Sequence, residues 1–479
     1  MILPLDATLE AGPDRIGGKA ASLLSMARLG LQVPPAFVVP TDVGKQWAAT
    51  GQLPENFAAQ LMDGMRGLEA LTGRRFGGAE KPLLISVRSG AAISMPGMME
   101  TLLNLGLTKQ SAAGLAKETG DPEFVENLKA SFEAQFTACV GPVPETAQAQ
   151  LIAAVEAVLS SWNSRRARRY RAHHDIPDDL GTAVAVQAMV FGNMCEQSGT
   201  GVLFSRNPIT GDAEPWGEWL PRAQGEALVA GTHNAEPLEQ LAKSMPQVHA
   251  ELLEGARALE QAGRDAQDIE FTIEAGRLFF LQSRAAKRTA NAALNIAMSM
   301  YEEGLIDRAE ALSRVTPEQL ATMLSPVLSE PGDAPVVASG TPASPGAGVG
   351  VAVTSAQEAE RIAGEGRDVV LVRPTTSPDD VGGMLAAAAV VTEAGGATSH
   401  AAVVGRALGK PVVSGCGPGL LAALAGRDIT VCGTSGRVFD GALSLEKPAP
   451  PPGLERYRNL AAEAGDAARL AALAEQGGG

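Results

Sequence analysis

Short apolar runs, bounded by glycines and polar turns, alternate along the chain with stretches of helical periodicity. Near the C-terminal end, residues 388–392 form such a run and lead into two glycines that allow a sharp turn. A helical pattern follows, which Thr398 or Ser399 would cap. His400 is therefore predicted in the first turn of a helix, where free amides and the helix dipole favour an anion. A histidine there either helps to cap the helix or takes up a phosphoryl group.

The N-terminal region repeats this arrangement. A glycine bend at Gly17-Gly18 opens a helical pattern that Gly30 ends, so Lys19 is predicted in the first turn of a helix, a usual place for phosphate binding. An ordinary surface lysine is the alternative. Residues 83–87 predict a strand, which the chain leaves at Arg88.

Residues 94–101 form an apolar loop with three methionines, a proline and Gly97. Such a loop either packs beneath another domain or closes over a flat ligand such as a nucleobase. Residues 109–180 are predicted to be mainly helical. They include a basic run at 164–174, for which a solvated helix face is preferred over a binding site.

Two apolar runs, 184–190 and 202–206, flank a glycine-rich turn that contains Thr200 and Gly201. This order predicts a flexible hairpin whose amides could cover phosphates.

A second hairpin is predicted from the runs 268–273 and 278–284, which flank Glu274-Ala275-Gly276-Arg277. Alternation places Asp268 with Glu270 on one face of the first strand and Gln282 with Arg284 on one face of the second. Carboxylates beside an amide and a guanidinium indicate a magnesium–polyphosphate platform. A solvent-facing sheet edge is the alternative.

Composition narrows the class of protein. The chain has 479 residues, 45% of them hydrophobic and 19% charged, which is typical of a soluble globular protein of about three domains. A net charge of −15 argues against binding to nucleic acid or to an acidic membrane. No apolar run approaches the length of a membrane span, and no signal peptide is evident. The four cysteines lack CxxC spacing, so reduced thiols and a cytoplasmic location are expected.

The expected organisation has four parts. A first region covers 1–328, a linker rich in proline, glycine and acidic residues covers 329–339, a Gly- and Val-rich α/β domain covers 340–445, and a Pro-rich linker with a helical tail covers 446–479.

These stretches together resemble the pyruvate phosphate dikinase family of phosphoenolpyruvate-utilising enzymes. The resemblance extends over nearly the whole chain to about residue 445 and rests on five blocks in order. They are GGK from Gly17, SVRSGAAISMPGMMETLLNLGL from Ser86, VFGNMCEQSGTGVLFSRNP from Val190, DIEFTIEAGRLFFLQSRAAKRT from Asp268 and GGATSHAAVVGRALGKPVVSGC from Gly395.

The resemblance implies an α/β and α+β multidomain protein, with an ATP-grasp nucleotide-binding region followed by a swivelling β/β/α phosphohistidine domain. It implies that His400 carries a phosphoryl group, that Gly97 lies in the loop closing over the nucleotide, and that Mg²⁺ is required. The residues implied to contact the ATP phosphates are Lys19, Arg88, Thr200, Gly201 and Arg284, and those implied to hold magnesium and polyphosphate are Asp268, Glu270 and Gln282.

The implied activity is a phosphotransferase half-reaction in which ATP and inorganic phosphate yield AMP, pyrophosphate and phosphohistidine, with Arg88 and Arg284 assisting His400. Family members continue into a large pyruvate-binding barrel, which the tail after residue 445 is too short to form. A separate barrel protein is therefore the expected acceptor partner. Another small-molecule acceptor, a nucleotide-binding pseudoenzyme and a homodimer remain open.

Overall fold

The computed structural model describes residues 2–93, 95, 98–173, 175–225, 235–316, 319–320, 323, 327–329, 332, 334–446, 450–451, 453–466 and 470. The chain divides into two compact units. Unit 1 comprises Met1–Gly199 and Phe271–Ser283, and unit 2 comprises Thr200–Glu270 and Arg284–Gly479. These divisions do not coincide with the predicted boundaries at 328 and 340, so those boundaries stay a prediction.

Unit 1 is built on a five-stranded sheet with a short parallel ribbon beside it. Its strands are β1 (Leu3–Pro4), β2 (Ala36–Val39), β3 (Arg75–Phe76), β4 (Pro82–Leu83), β5 (Ile85–Gly90), β6 (Thr101–Leu105) and β7 (Ala183–Ala188). The sheet order is β1-β2-β7-β5-β6, with every neighbouring pair antiparallel, and β3 pairs with β4. Every residue of β7 is buried, as expected of a central strand covered on both faces.

The helices of unit 1 pack their apolar residues onto this sheet. They are α1 (Pro13–Arg28), α2 (Thr41–Thr50), α3 (Phe57–Thr72), α4 (Lys109–Thr119), α5 (Pro122–Cys139), α6 (Ala147–Ser161) and α7 (Arg165–His173), followed by a 3₁₀ turn at Asp178–Leu180. The core they form includes Phe132, Phe136 and Leu151, all fully buried. The helical prediction for 109–180 is confirmed.

The basic run on α7 differs from the prediction of a solvated face. Arg171 is only 1% exposed, and its guanidinium lies 4.1 Å from the ring centroid of Trp162. Its Nη1 donates to the Trp162 carbonyl at 2.6 Å and its Nε donates to Asp178. Part of the run therefore stabilises unit 1, because satisfied hydrogen bonds allow a guanidinium to be buried.

Gly17 produces the predicted bend near the start of α1. Its φ of 76° and ψ of 156° interrupt the helix, and a Cβ at this position would lie 1.8 Å from the Gly90 carbonyl oxygen. The bend brings the next residues onto β5, since the Gly18 amide donates to the Ala91 carbonyl at 2.9 Å. Lys19 thus lies in the first turn after the bend, as the sequence predicts, and this turn lies beside the end of β5.

We expect Gly17→Ala to lower the free energy of unfolding by about 3 kcal/mol or more, because a positive φ and a backbone clash act together. Gly30 is the matched control, since it has the same φ of 76° and nothing within 4 Å of an added Cβ. Gly30→Ala should cost only about 1 kcal/mol. Denaturant unfolding of both variants measures the difference, and equal losses would contradict the proposed role of the Gly90 contact.

Unit 2 contains most of a second five-stranded sheet, in the order β10-β9-β8-β11-β12. Its strands are β8 (Gly199–Phe204), β9 (Trp216–Pro221), β10 (Glu236–Pro237), β11 (Gln267–Glu274) and β12 (Arg277–Ala285). The last two form the hairpin predicted from residues 268–284. Ala275 and Gly276 at its tip have φ values of 47° and 77°, as a tight hairpin turn requires.

The hairpin predicted around Thr200 and Gly201 is wrong. β7 and β8 belong to different sheets, because β2 and β5 occupy both edges of β7 while β8 lies between β9 and β11. Pairing depends on edges that distant segments supply, and the local alternation of apolar residues does not encode them.

The remaining sheet of unit 2 has eight strands in the order β14-β21-β20-β16-β17-β18-β19-β15. These are β14 (Val336–Ser339), β15 (Thr341–Ser344), β16 (Ala347–Val353), β17 (Val369–Arg373), β18 (Ala389–Thr392), β19 (Val412–Ser414), β20 (Asp428–Cys432) and β21 (Arg437–Asp440). The central strands β16 to β19 run parallel, with helices between them as parallel connections require. A separate ribbon pairs β13 (Val327–Leu328) with β22 (Leu445–Glu446).

The helices of unit 2 are α8 (Leu238–Ser244), α9 (Pro246–Gly263), α10 (Ala290–Glu302), α11 (Arg308–Ser313), α12 (Ala356–Gly364), α13 (Val381–Ala386), α14 (His400–Leu408), α15 (Leu420–Leu424) and α16 (Gly453–Ala464), with a 3₁₀ turn at Pro378–Asp380. The predicted tail helix, α16, packs against α10 and α11. The Tyr457 hydroxyl donates to the Leu312 carbonyl at 3.0 Å. This part of the tail therefore belongs to the core of unit 2.

Within the predicted linker at 329–339, residues Val336–Ser339 form an edge strand that pairs with β21. An edge strand offers few buried side chains, so its sequence resembles a linker. Within the described ranges, no helix is both long enough and apolar enough to cross a membrane. The four cysteines are free thiols.

Candidate active site

His400 is the first residue of α14, which follows β18 after a glycine turn. Gly395 has a φ of 115°, and a Cβ there would lie 3.0 Å from the Ser399 side chain, so glycine is needed for this close turn. Residues 395–399, called the His400 turn below, thus place the imidazole at the amino end of a helix. The predicted position of His400 is confirmed.

The predicted cap is wrong in its details. Ser399 occupies the N-cap position but makes no capping hydrogen bond, and its buried Oγ has no partner within the described part of the chain. The Thr398 hydroxyl instead donates to Glu218 Oε2 at 2.7 Å. The first-turn amides of α14 are therefore not occupied by either predicted capping side chain.

The two ring nitrogens of His400 have different surroundings. Nδ1 lies 3.0 Å from Thr376 Oγ1, which follows β17 in the sequence. Nε2 is shielded from solvent and has no hydrogen-bond partner among the described residues. If Nδ1 carries the proton and donates it to Thr376, Nε2 presents a lone pair, as a nucleophile must.

The pKa of His400 is lowered from the ordinary histidine value. Burial disfavours the charged imidazolium, and the carboxylate of Asp380 only partly offsets this effect. Because the folded state prefers the neutral ring, the contribution to stability is present above the unfolded pKa and is lost as pH falls through the folded value. A neutral imidazole at physiological pH suits a nucleophile.

We therefore expect the His400 ring to titrate in NMR spectra with a midpoint below about 6.5, the ordinary value. The rate at which ATP phosphorylates His400 should correspondingly change little when the pH is lowered from about 7.5 to about 6.5, because most of the rings stay neutral. The spectrum of a His400→Gln variant assigns the resonance. A midpoint at or above the ordinary value would contradict the dominance of burial over the Asp380 charge.

The platform predicted on the β11–β12 hairpin is partly present within unit 2. Asp268 is 2% exposed, and Arg284 Nε donates to its Oδ2 at 2.8 Å. Burial raises the pKa of the Asp268 carboxyl, Arg284 opposes this and the neighbouring Glu270 carboxylate adds to it. Carboxylate oxygens are ligands that Mg²⁺ prefers, so Asp268 and Glu270 have the right chemistry for part of a magnesium site.

Within the described residues, no group of three or more histidine, cysteine or acidic side chains is arranged to hold a metal ion. A magnesium ion at Asp268 and Glu270 would thus need further oxygen ligands. Polyphosphate oxygens and water are its usual additional ligands.

The other predicted residues are distributed between the units. In unit 1, Lys19 lies beside Gly90 at the end of β5, and alternation places Arg88 on the same face of that strand as Gly90. In unit 2, Thr200 and Gly201 are buried on β8, the neighbour of β11. Gln282 lies on β12 in its unit 1 part. Gly97 lies outside the described residues, and the grouping of all these residues into one ATP site stays a prediction.

Arg406 is a buried cation that sequence reasoning missed. It is 3% exposed, and its Nη1 donates to the carbonyls of Ala397 and Ala343, each at 2.9 Å. Its Nε and Nη2 have no hydrogen-bond partner in the described part of the chain. Burial lowers the pKa of Arg406 to about 10, while the carboxylates of Asp268 and Glu218 favour its charge. The side chain therefore remains charged near neutral pH.

Thr376 and Glu218 were missed as well. Thr376 follows a strand that is parallel to β18, so the shared carboxyl edge of parallel strands could have indicated it. Glu218 lies between two tryptophans on β9, a pattern that carries no signal of function.

Comparison with known protein families gives a match for two regions of the chain. Residues 44–244 match the model of the pyruvate phosphate dikinase AMP/ATP-binding domain, and residues 365–436 match that of the mobile domain of PEP-utilising enzymes. The chain belongs to the pyruvate phosphate dikinase family. The ATP-grasp and phosphohistidine domains implied by the resemblance are thereby confirmed as its fold class.

Relatives in this family match nearly the whole chain. Pyruvate, phosphate dikinase 2 of Zea mays is 45% identical over 84% of the chain and 51% of its own length. The pyruvate, phosphate dikinases of Rhizobium meliloti (strain 1021) and Clostridium symbiosum are 41% and 38% identical, over 91% and 92% of the chain and 57% and 58% of their own lengths. The chain thus spans about half the length of these dikinases.

Proposed function

We propose that the chain is an ATP-dependent phosphotransferase that phosphorylates its own His400. The observation that carries this proposal is the imidazole at the amino end of α14, with Nδ1 beside Thr376 Oγ1 and Nε2 without a hydrogen-bond partner among the described residues. A neutral ring held at one nitrogen leaves the other as a nucleophile.

In the proposed step, His400 Nε2 attacks the β-phosphorus of ATP. An N–P bond forms, the bond between the α-phosphate bridging oxygen and the β-phosphorus breaks, and AMP leaves. The terminal phosphoryl group then passes to inorganic phosphate, which gives pyrophosphate and phosphohistidine. The free amides at the amino end of α14 stabilise the negative charge that His400 acquires. The dikinase relatives support this reaction, since their names specify both pyruvate and phosphate as substrates.

Asp268, Glu270 and Gln282 would hold Mg²⁺ in this proposal. The bound ion would neutralise charge on the polyphosphate. Lys19, Arg88 and Arg284 would add positive charge around the transferring group, a role for which arginine and lysine suit phosphate.

We further propose pyruvate as the final acceptor, bound by a barrel on a separate polypeptide. This proposal rests on the substrate named for the relatives, of which the chain matches about half the length. It predicts that the chain forms phosphoenolpyruvate only when a barrel protein is supplied.

Labelling with ATP tests the half-reaction. The chain is incubated with Mg²⁺ and ATP labelled at the β- or the γ-phosphate, with and without inorganic phosphate, and acid-labile label on His400 is measured. Retained β-label with formation of AMP, and pyrophosphate release that requires inorganic phosphate, would support the proposal. Stable γ-label with formation of ADP would indicate an ordinary kinase reaction, and no label would contradict the proposed activity.

A further inference from the structure

We propose that Glu218 is a positioning residue for phosphoryl transfer to His400, and that it acts by holding the His400 turn against the sheet that carries Asp268. This inference rests on the proposed function, because it concerns the geometry in which His400 receives the group. All the residues that carry it belong to unit 2.

The central contact joins two segments that are 180 residues apart. Thr398 Oγ1 donates to Glu218 Oε2 at 2.7 Å. Thr398 is 8% exposed, and Glu218 is half-buried on β9. A hydrogen bond to a carboxylate is stronger than one between neutral groups, and shielding from water strengthens it further.

Gly396 fits against the same carboxylate. A Cβ at Gly396 would lie 3.0 Å from Glu218 Oε2 and 3.1 Å from Oε1. These distances are tighter than nine in ten real Cβ contacts, so the Glu218 carboxylate would have to shift by a few tenths of an ångström to admit a side chain at Gly396. The absence of a side chain at this position therefore leaves the carboxylate free to lie against the turn.

Arg406 holds the turn from a second direction. Its Nη1 donates to the carbonyl of Ala397, the residue directly before Thr398. Its charge is favoured by Glu218 on β9 and by Asp268 on β11. Thus α14 supplies a cation and the sheet that contains β9 and β11 supplies two carboxylates, and opposite charges favour contact between these elements.

Two consecutive residues of the His400 turn, Ala397 and Thr398, are therefore held by hydrogen bonds just ahead of the nucleophile. An error of about 1 Å in the position of a reacting group can lower its rate by about a hundredfold. Loss of the Glu218 contact should slow the chemical step and leave ATP binding unchanged, because Glu218 acts here through Thr398.

The test uses the full chain with Glu218→Ala, Thr398→Val, the double variant and Thr398→Ser. Single-turnover labelling of His400 at saturating MgATP measures the transfer rate, and a fluorescent ATP analogue measures nucleotide affinity. We expect each of the first two variants to be at least about tenfold slower, the double variant to be no slower than either one, and Thr398→Ser to restore the rate. Nucleotide affinity should change by less than about twofold, because the contact between Glu218 and Thr398 is not expected to be coupled to ATP binding.

Glu236→Ala is the matched control, because Glu236 is exposed on β10, the strand that pairs with β9. It should label at the wild-type rate. Wild-type rates in Glu218→Ala and Thr398→Val would overturn the inference and leave the proposed function intact. A change in nucleotide affinity equal to the change in rate would also overturn it, since it would make Glu218 a nucleotide-binding residue.

Hydrogen exchange provides a readout that does not depend on activity. Peptides covering residues 395–405 should exchange faster in Glu218→Ala and Thr398→Val than in the wild type or in Glu236→Ala. If the wild type were not labelled by ATP, the proposed function would fail, and this measurement would still decide whether Glu218 holds the turn. Unchanged exchange would contradict the positioning role.

Discussion

Replacement of His400 by alanine should abolish acid-labile labelling from ATP, with a loss on the order of 10³-fold or more. The reason is that the imidazole supplies the nucleophilic nitrogen, and alanine has no group that can form an N–P bond. His400 is only half-buried at the start of α14, so the variant should still fold. The measurement is the amount of β-label on the full chain after a single turnover.

His249→Ala is the control for this substitution, because His249 is a half-buried histidine on α9 in the same unit. It should retain wild-type labelling. Persistent label on the His400→Ala protein would disprove the assignment of the nucleophile. Mapping of the labelled peptide would then identify the residue that carries it.

Replacement of Asp268 by asparagine should lower labelling by about 10²- to 10³-fold, the range seen when one preorganised electrostatic contact is removed from an active site. Asp268 is almost fully buried, and its carboxylate both pairs with Arg284 and is proposed to hold magnesium. Asparagine keeps the size of the side chain but removes the negative charge. The transfer rate should be measured as a function of Mg²⁺ concentration, because a weakened metal site raises the requirement for the ion.

Glu260→Gln is the matched control for loss of a carboxylate from a buried ion pair. Glu260 Oε1 lies 2.8 Å from Nη2 of Arg206, whose guanidinium is 4% exposed and also pairs with Glu303. This variant should lose about 1–3 kcal/mol of stability, because Arg206 loses one charged partner but keeps Glu303, and its folded fraction should label normally. Equal labelling by Asp268→Asn and the wild type at low Mg²⁺ would show that Asp268 has no part in metal binding.

Elements with a strong local signal were predicted correctly from the sequence. The hairpin at 268–284 followed from alternation on both sides of a turn, and residues 275 and 276 indeed adopt positive φ. The bend at Gly17 and the helix that starts at His400 followed from glycines ahead of an apolar helical pattern. In each case the interactions that form the element join residues close together in the sequence, so the local pattern is enough to predict it.

The errors share a different cause. The hairpin predicted around Thr200 failed because β2 and β5 occupy both edges of β7. Part of the predicted linker is a strand because β21 lies beside it, and Arg171 is buried because Trp162 and Asp178 satisfy it. Each outcome depends on a partner that another part of the chain supplies.

The sequence by itself determined which residues carry the proposed chemistry: the histidine after a glycine turn, the lysine after a glycine bend, and the carboxylates and arginine of one hairpin. Only the tertiary structure decided what holds them. Thr376 reaches His400 across 24 residues and Glu218 reaches Thr398 across 180, while Asp268 on β11 favours the charge of Arg406 on α14. Hydrogen bonds and ion pairs act over a few ångströms in space, and folding brings residues to that distance irrespective of their separation along the chain.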